Sequence, residues 1–137
     1  GGVMLSGCCI AAKGAQPDIR IFAAEPLGAD DVARSMKEGK LVPQTDPRTI
    51  ADGLLTSMGD MTWPIIRDHV EEVVTVTEEE IVSAMKLVFT RMKLVIEPSA
   101  AVGVAAVLSE KFRKIEGIQR VGIVLCGGNV DIQKLPW

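Results

Sequence analysis

The chain has 137 residues, 47% of them hydrophobic, enough for a real core within one domain or part of one. A formal net charge of −3 gives no electrostatic case for nucleic acid or an anionic membrane surface as partner. No apolar run approaches the roughly 18 residues needed to span a bilayer, and the start has no basic stretch of the signal-peptide kind.

The first residues, Gly1-Gly2, precede an apolar stretch from Val3 to Lys13 that reads as a helix packed closely on a sheet. Backbone amides at such a start form a ready anion site. The absence of an initiator Met suggests a cut through a larger sequence. Gly14, Gln16 and Pro17 break the helix, and Asp18 to Ala24 alternates into a short strand closed by Pro26. Ala29 to Lys40 has acids early and lysines late, the charge order that complements a helix dipole, and Gly39 is a plausible stop. Leu41 to Gly59 is the least regular part, broken by Pro43, Pro47 and Gly53, and a loop of this length in a compact domain is often functional.

A helix restarts over Thr62 to Val70, with Pro64 in its first turn. Val73 to Val76 is a β-branched strand. Thr77 and Glu80 have the spacing of a capping box, and the helix they open puts Ile81, Met85, Val88 and Met92 on one stripe. Glu97-Pro98-Ser99 leads into a second helix from Ala100 to about Phe112, rich in small residues that allow close approach. Val121 to Leu125 is a nearly unbroken apolar run, predicted as a final strand buried on both faces. It stops at Cys126-Gly127-Gly128-Asn129. In open α/β sheets the carboxyl ends of the strands are where ligands bind. Alternating helices and short strands predict an α/β fold, with a mostly parallel sheet flanked by helices.

Cys8 and Cys9 are adjacent and Cys126 is remote. With one histidine and no CxxC spacing, the pattern supports neither a disulfide framework nor a zinc site. A reducing, cytoplasmic compartment is the simpler reading. No G-x-G-x-x-G followed by an acid supports a dinucleotide-binding module.

Taken in order, GGVMLSG, AAEPLGADD, TIADGL, TWPIIRD, TRMKLVIEPSAAVGVAAVLS and IVLCGGNVD span nearly the whole chain. They resemble the carboxyl-terminal portion of eukaryotic serine racemases and the related serine/threonine dehydratases, fold-type II pyridoxal-phosphate enzymes. The resemblance implies that residues 1–137 are the C-terminal part of a tryptophan synthase β-like large domain. It also implies that the Schiff-base lysine and both proton-transferring residues lie upstream, leaving no catalytic residue in this chain. Gly1 and Gly2 match the end of the family's glycine loop around the cofactor phosphate, with Val3 where a fourth glycine is expected.

Gly53 (beside Asp52), Glu97, Cys126 and Gly127 match positions lining the cofactor, Cys126 facing the pyridine nitrogen where many relatives have serine. Thr56 falls near a substrate-contacting serine. Glu25, the Ala29 carbonyl and Asp31 match a divalent cation site for Mg²⁺ (or Ca²⁺ or Mn²⁺), a hard-oxygen donor set. Lys93 and Asn129 match an ATP effector site at a homodimer interface. From the residues alone, Asp31 and Lys93 are equally helix-dipole charges, Glu97 a helix N-terminal charge, and Cys126 a small buried hydrophobe. The implied activity of the whole protein is interconversion of L- and D-serine, or elimination of water from serine or threonine to a 2-oxo acid and ammonia. The alternative from another class is a non-catalytic fragment that binds a partner or the full-length enzyme.

Overall fold

The computed structural model describes residues 1–137. Its elements in chain order are α1 (Val3–Ala15), β1 (Phe22–Pro26), α2 (Asp31–Glu38), α3 (Trp63–His69), β2 (Glu72–Val76), α4 (Glu78–Leu87), α5 (Pro98–Leu108) and α6 (Glu110–Arg113). The two strands run parallel, with Phe22 opposite Glu72 and Pro26 opposite Val76.

Side chains alternate across this small sheet, so each face feeds its own core. Val74 and Val76 point into a cluster with Ile81 and Met85 of α4, Val88 just after it, and the alanines of α5. Ala23 and Val73 point the other way, toward Cys9 of α1, Val32 of α2, and Trp63 and Ile66 of α3. Helices therefore cover both faces, the arrangement expected of α/β proteins. The small residues of α5 do what their size allows: Ala100, Ala101, Ala105 and Ala106 are all buried, bringing the helix close to β1 and α4. No helix is long and apolar enough to cross a membrane.

The capping box forms as its spacing predicts. The Thr77 hydroxyl accepts the Glu80 N–H at 3.2 Å, and the Glu80 carboxylate accepts the Thr77 N–H at 2.7 Å.

Four expectations need correction. Val121 to Leu125 is not a strand: it lacks ladder partners, and Val121 and Val124 are 45% and 59% exposed. Only two strands pair in this chain, and a strand exists by its neighbour's hydrogen bonds. Ile123 instead lies along α5 against Gly103, and Leu125 packs on the α4–α5 core.

Second, β1 begins at Phe22 rather than Asp18, because the Lys13 ammonium gathers the Pro17 and Ile19 carbonyls into a turn. Third, Met92 leaves the α4 stripe. The chain widens into a π turn at Val88–Met92, and the extra residue per turn rotates Met92 outward, where it is exposed. Fourth, the helix from Ala100 to Phe112 is two helices. Ser109 bends the chain and caps α6, its hydroxyl accepting the Phe112 N–H at 3.2 Å.

Candidate functional site

The predicted residues gather in three places around the 41–59 loop. The first is the start of α1. Gly2 is the N-cap in a left-handed conformation (φ 89°), with no side chain capping the helix and no acid in its first turn. The first-turn amides are thus left for an anion. A side chain at Gly2 would overlap Met58 and Thr62, so glycine is required for both its φ and its space. The Gly1 carbonyl accepts the Gly59 N–H at 3.1 Å and the Thr62 hydroxyl at 2.7 Å. A Cβ on Gly1 would lie 3.3 Å from the Thr56 hydroxyl oxygen, so Thr56 borders this helix start.

The second place joins Gly53, Glu97, Gly127 and the backbone of Asn129. Glu97 is the N-cap of α5, yet its carboxylate does not cap that helix. It reaches across to accept the Asn129 N–H at 3.0 Å, while the Glu97 N–H donates to the Gly127 carbonyl at 3.1 Å. A Cβ on Gly127 (φ 149°) would overlap the Glu97 carboxylate. The Gly53 N–H donates to the Ser99 hydroxyl at 3.1 Å, and its α-carbon faces Ser99 and Glu97. Cys126, one residue before Gly127, is exposed rather than a buried hydrophobe. Lys93 has a left-handed backbone (φ 60°), and its ammonium donates to the Thr90 carbonyl at 2.7 Å, completing the end of the π turn. No hydrogen bond joins it to Asn129. Gly128 lies against the Val95 carbonyl, which brings the loop to within two residues of Lys93 along the chain.

The third place is Glu25, Ala29 and Asp31, which are 8%, 2% and 3% exposed. The Glu25 carboxylate accepts the Val32 and Ala33 N–H groups at 3.0 and 2.9 Å. Asp31 accepts the Gln44 side-chain amide at 2.9 Å and the Met58 N–H at 2.7 Å. No lysine or arginine pairs with either acid. Asp30, by contrast, faces outward and pairs with Arg34 at 3.0 Å.

Burial pushes the Glu25 carboxyl up to about 8, with the neighbouring Asp31 carboxylate adding to the rise and the two amides opposing it. Two buried carboxyls with no protein cation beside them favour a bound proton and could instead hold a hard divalent ion. No set of three His, Cys, Asp or Glu side chains gathers in a metal cluster, so these two carboxylates could hold a hard divalent ion only with further oxygens from backbone or water. Waters would complete the shell.

Sequence reasoning missed four supporting side chains. Ser99 holds Gly53, and Gln44 holds Asp31. Ser35, fully buried, donates to the Asp31 carbonyl at 2.7 Å and accepts the Val42 N–H at 2.8 Å. Glu78 accepts the Ile50 N–H at 2.7 Å. Ser99 stands inside a quoted motif, and its small polar side chain one residue into a helix was a usable signal. The partners of the other three lie far off in sequence or in irregular backbone.

Comparison with known proteins gives a consistent result. The family model described as "Pyridoxal-phosphate dependent enzyme" matches residues 1–127. The serine racemase of Dictyostelium discoideum is 52% identical over 98% of this chain and 42% of its own length. Among solved structures, maize serine racemase superposes with a TM-score of 0.94 at 46% identity, covering 97% of this chain and 41% of the other. A threonine deaminase from T.th. gives 0.88 at 41% identity, covering 96% and 47%. The chain thus spans about 42% of the length of the curated relatives it matches.

Proposed function

Because this chain belongs to the pyridoxal-phosphate dependent enzymes, we propose that it is the cofactor-phosphate and cation-binding part of a serine racemase/dehydratase. The full protein would act on serine or threonine, inverting the Cα centre or eliminating water to a 2-oxo acid and ammonia. Bound pyridoxal phosphate supplies an electron-withdrawing ring that acidifies the substrate Cα–H.

Within this chain, Gly1, Gly2 and the free amides of α1 are assigned to the phosphate, whose charge suits an uncapped helix start. Gly53, Glu97, Cys126 and Gly127 are assigned to the walls around the ring. Cys126 offers a neutral thiol rather than a carboxylate to the ring nitrogen. Thr56 is assigned to the substrate side, bordering Gly1. Glu25, the Ala29 carbonyl and Asp31 are assigned to Mg²⁺, and Lys93 and Asn129 to an ATP effector. A homodimer in the cytoplasm is the state in which we expect these sites to work. The cofactor-anchoring lysine and the proton-transferring bases are assigned to the rest of the full-length protein.

The observation that carries this reading is the meeting of Gly53, Glu97 and Gly127 from three distant parts of the chain. The test is intact mass of the native protein after borohydride reduction, followed by assays for D-serine and 2-oxo acid. A pyridoxyl adduct on a protein larger than 14.7 kDa, with either product, supports it. A protein of that mass with no adduct would replace it with the non-catalytic reading, in which the exposed Val3, Met4 and Ile10 of α1 meet a partner.

A further inference from the structure

The 41–59 loop contains one tight turn, Asp52–Leu54, and this turn carries Gly53. Its entry is held from an unexpected direction. Of the three acids that open α4, Glu80 closes the capping box and Glu79 is exposed. Glu78 turns the other way, and one of its oxygens accepts the Ile50 N–H at 2.7 Å. Its second oxygen is buried with no partner. Leaving half a carboxylate unsatisfied is costly, a cost that the amides at the α4 start oppose.

From Ile50 the backbone has little freedom. The Asp52 N–H returns to the Ile50 carbonyl and the Leu54 N–H to the Ala51 carbonyl, both at 2.9 Å. The Ala51 methyl is fully buried. The next fixed point is the Gly53 N–H on the Ser99 hydroxyl. A Cβ at Gly53 would be 3.0 Å from that oxygen, so there is no room to spare between Gly53 and Ser99.

We propose that Glu78 is a positioning residue for the cofactor site: by holding the Ile50 amide it sets where Gly53 stands against Ser99 and Glu97. The proposal rests on the reading of Gly53 as a wall of that site, and names a residue remote from the ligand that controls it. Reach matters here more than charge, since the bond needs an acceptor at the right place.

The experiment uses the full-length holoprotein with Glu78→Ala, Glu78→Gln and Glu78→Asp. Backbone amide exchange is read at Ile50 and Gly53, with the β2 amides as internal reference. Pyridoxal-phosphate affinity and the visible spectrum of the bound cofactor are read alongside. Losing the bond should speed exchange at Ile50 and Gly53 by about 10-fold or more in Glu78→Ala, leaving β2 within about 2-fold. Cofactor affinity should fall about 10-fold, with a changed spectrum. Glu78→Gln, which keeps an acceptor at the same reach, should restore both to within about 2-fold. Glu78→Asp, one methylene shorter, should behave like the alanine variant, and it serves if alanine does not fold.

Unchanged exchange at Gly53 in the alanine or aspartate variant would overturn the proposal, as would glutamine proving as harmful as alanine. An altered exchange with an unaltered cofactor spectrum and affinity would also overturn it, reducing Glu78 to a loop anchor. A wild-type protein that binds no pyridoxal phosphate would instead remove the assignment of Gly53. In that case exchange alone would decide whether Glu78 governs the turn.

Discussion

The Glu25–Asp31 pair makes the sharpest claim about solution behaviour. The perturbation is a rise in pH from 5 to 9, first with a chelator and then with Mg²⁺. In the folded protein burial beside Asp31 holds the Glu25 carboxyl at about 8, against an ordinary value of 4.5. Between those values the folded state keeps a proton that the unfolded chain releases. Stability without metal is therefore greatest below the unfolded value and is lost as pH rises through about 8. At about 1.4 kcal/mol per unit, the loss is on the order of 5 kcal/mol.

At the proposed cation site a divalent ion would compete with that proton, so its stabilising effect should grow across the same window and its binding near pH 7 should release a proton. Urea denaturation midpoints measured at intervals of pH, with and without Mg²⁺, read both effects. Glu25→Gln has no proton to lose and should abolish the slope and the Mg²⁺ response together. A flat profile in chelator from pH 5 to 8 would refute the reasoning. So would a Mg²⁺ effect equal at pH 5.5 and 8.5.

Three further outcomes follow from single residues. Gly28→Ala would drive a methyl into the Arg48 carbonyl, which sits on rigid backbone while the Arg48 N–H bonds Gly28 at 2.9 Å. A loss of about 2–3 kcal/mol in chemical denaturation is expected. Gly127→Ala combines a backbone conformation unsuited to L side chains with overlap on the Glu97 carboxylate, so equilibrium dialysis of the full-length protein should show pyridoxal-phosphate affinity down at least ~10-fold. Thr77→Ala removes the hydroxyl half of the capping box and should cost about 1 kcal/mol in denaturation, with no change in cofactor affinity.

What could be read from the sequence depended on how far each residue's partners lie. The Thr77–Glu80 box, the α2 stop at Gly39 and the apolar stripe Ile81–Met85–Val88 involve neighbours within four residues, and the structure contains all three. The strand expected at Val121–Leu125 failed because periodicity reports burial and cannot supply the neighbouring backbone that makes a ladder. The π turn was equally hidden. One inserted residue leaves composition unchanged, yet it moved Met92 from core to solvent. At the site, Gly53, Glu97 and Gly127 could be nominated by motif, but that the Glu97 carboxylate meets the backbone of Asn129 could not be read from the sequence. A helix-capping carboxylate would have bonded α5, whereas this one bonds the Asn129 N–H.

The deeper regularity is in what holds the loop. Residues 41–59 have almost no regular structure of their own, yet the starts of four helices grip them. The Gly1 carbonyl, just before α1, takes the Gly59 N–H. Asp31, first in α2, takes both the Gln44 amide and the Met58 N–H. Glu78, first in α4, takes the Ile50 N–H, and Ser99, second in α5, takes the Gly53 N–H. In every case the helix start accepts and the loop donates. The backbone amides of Ile50, Gly53, Met58 and Gly59 are thereby satisfied without a ladder. Two of these starts, α1 and α5, have no side-chain cap over their own first-turn amides, but α5 gives up one donor to Pro98, so α1 keeps more amides to spare for an anion. A cation drawn to Asp31 and an anion drawn to Gly2 would therefore act on neighbouring amides of one short segment, Met58 and Gly59.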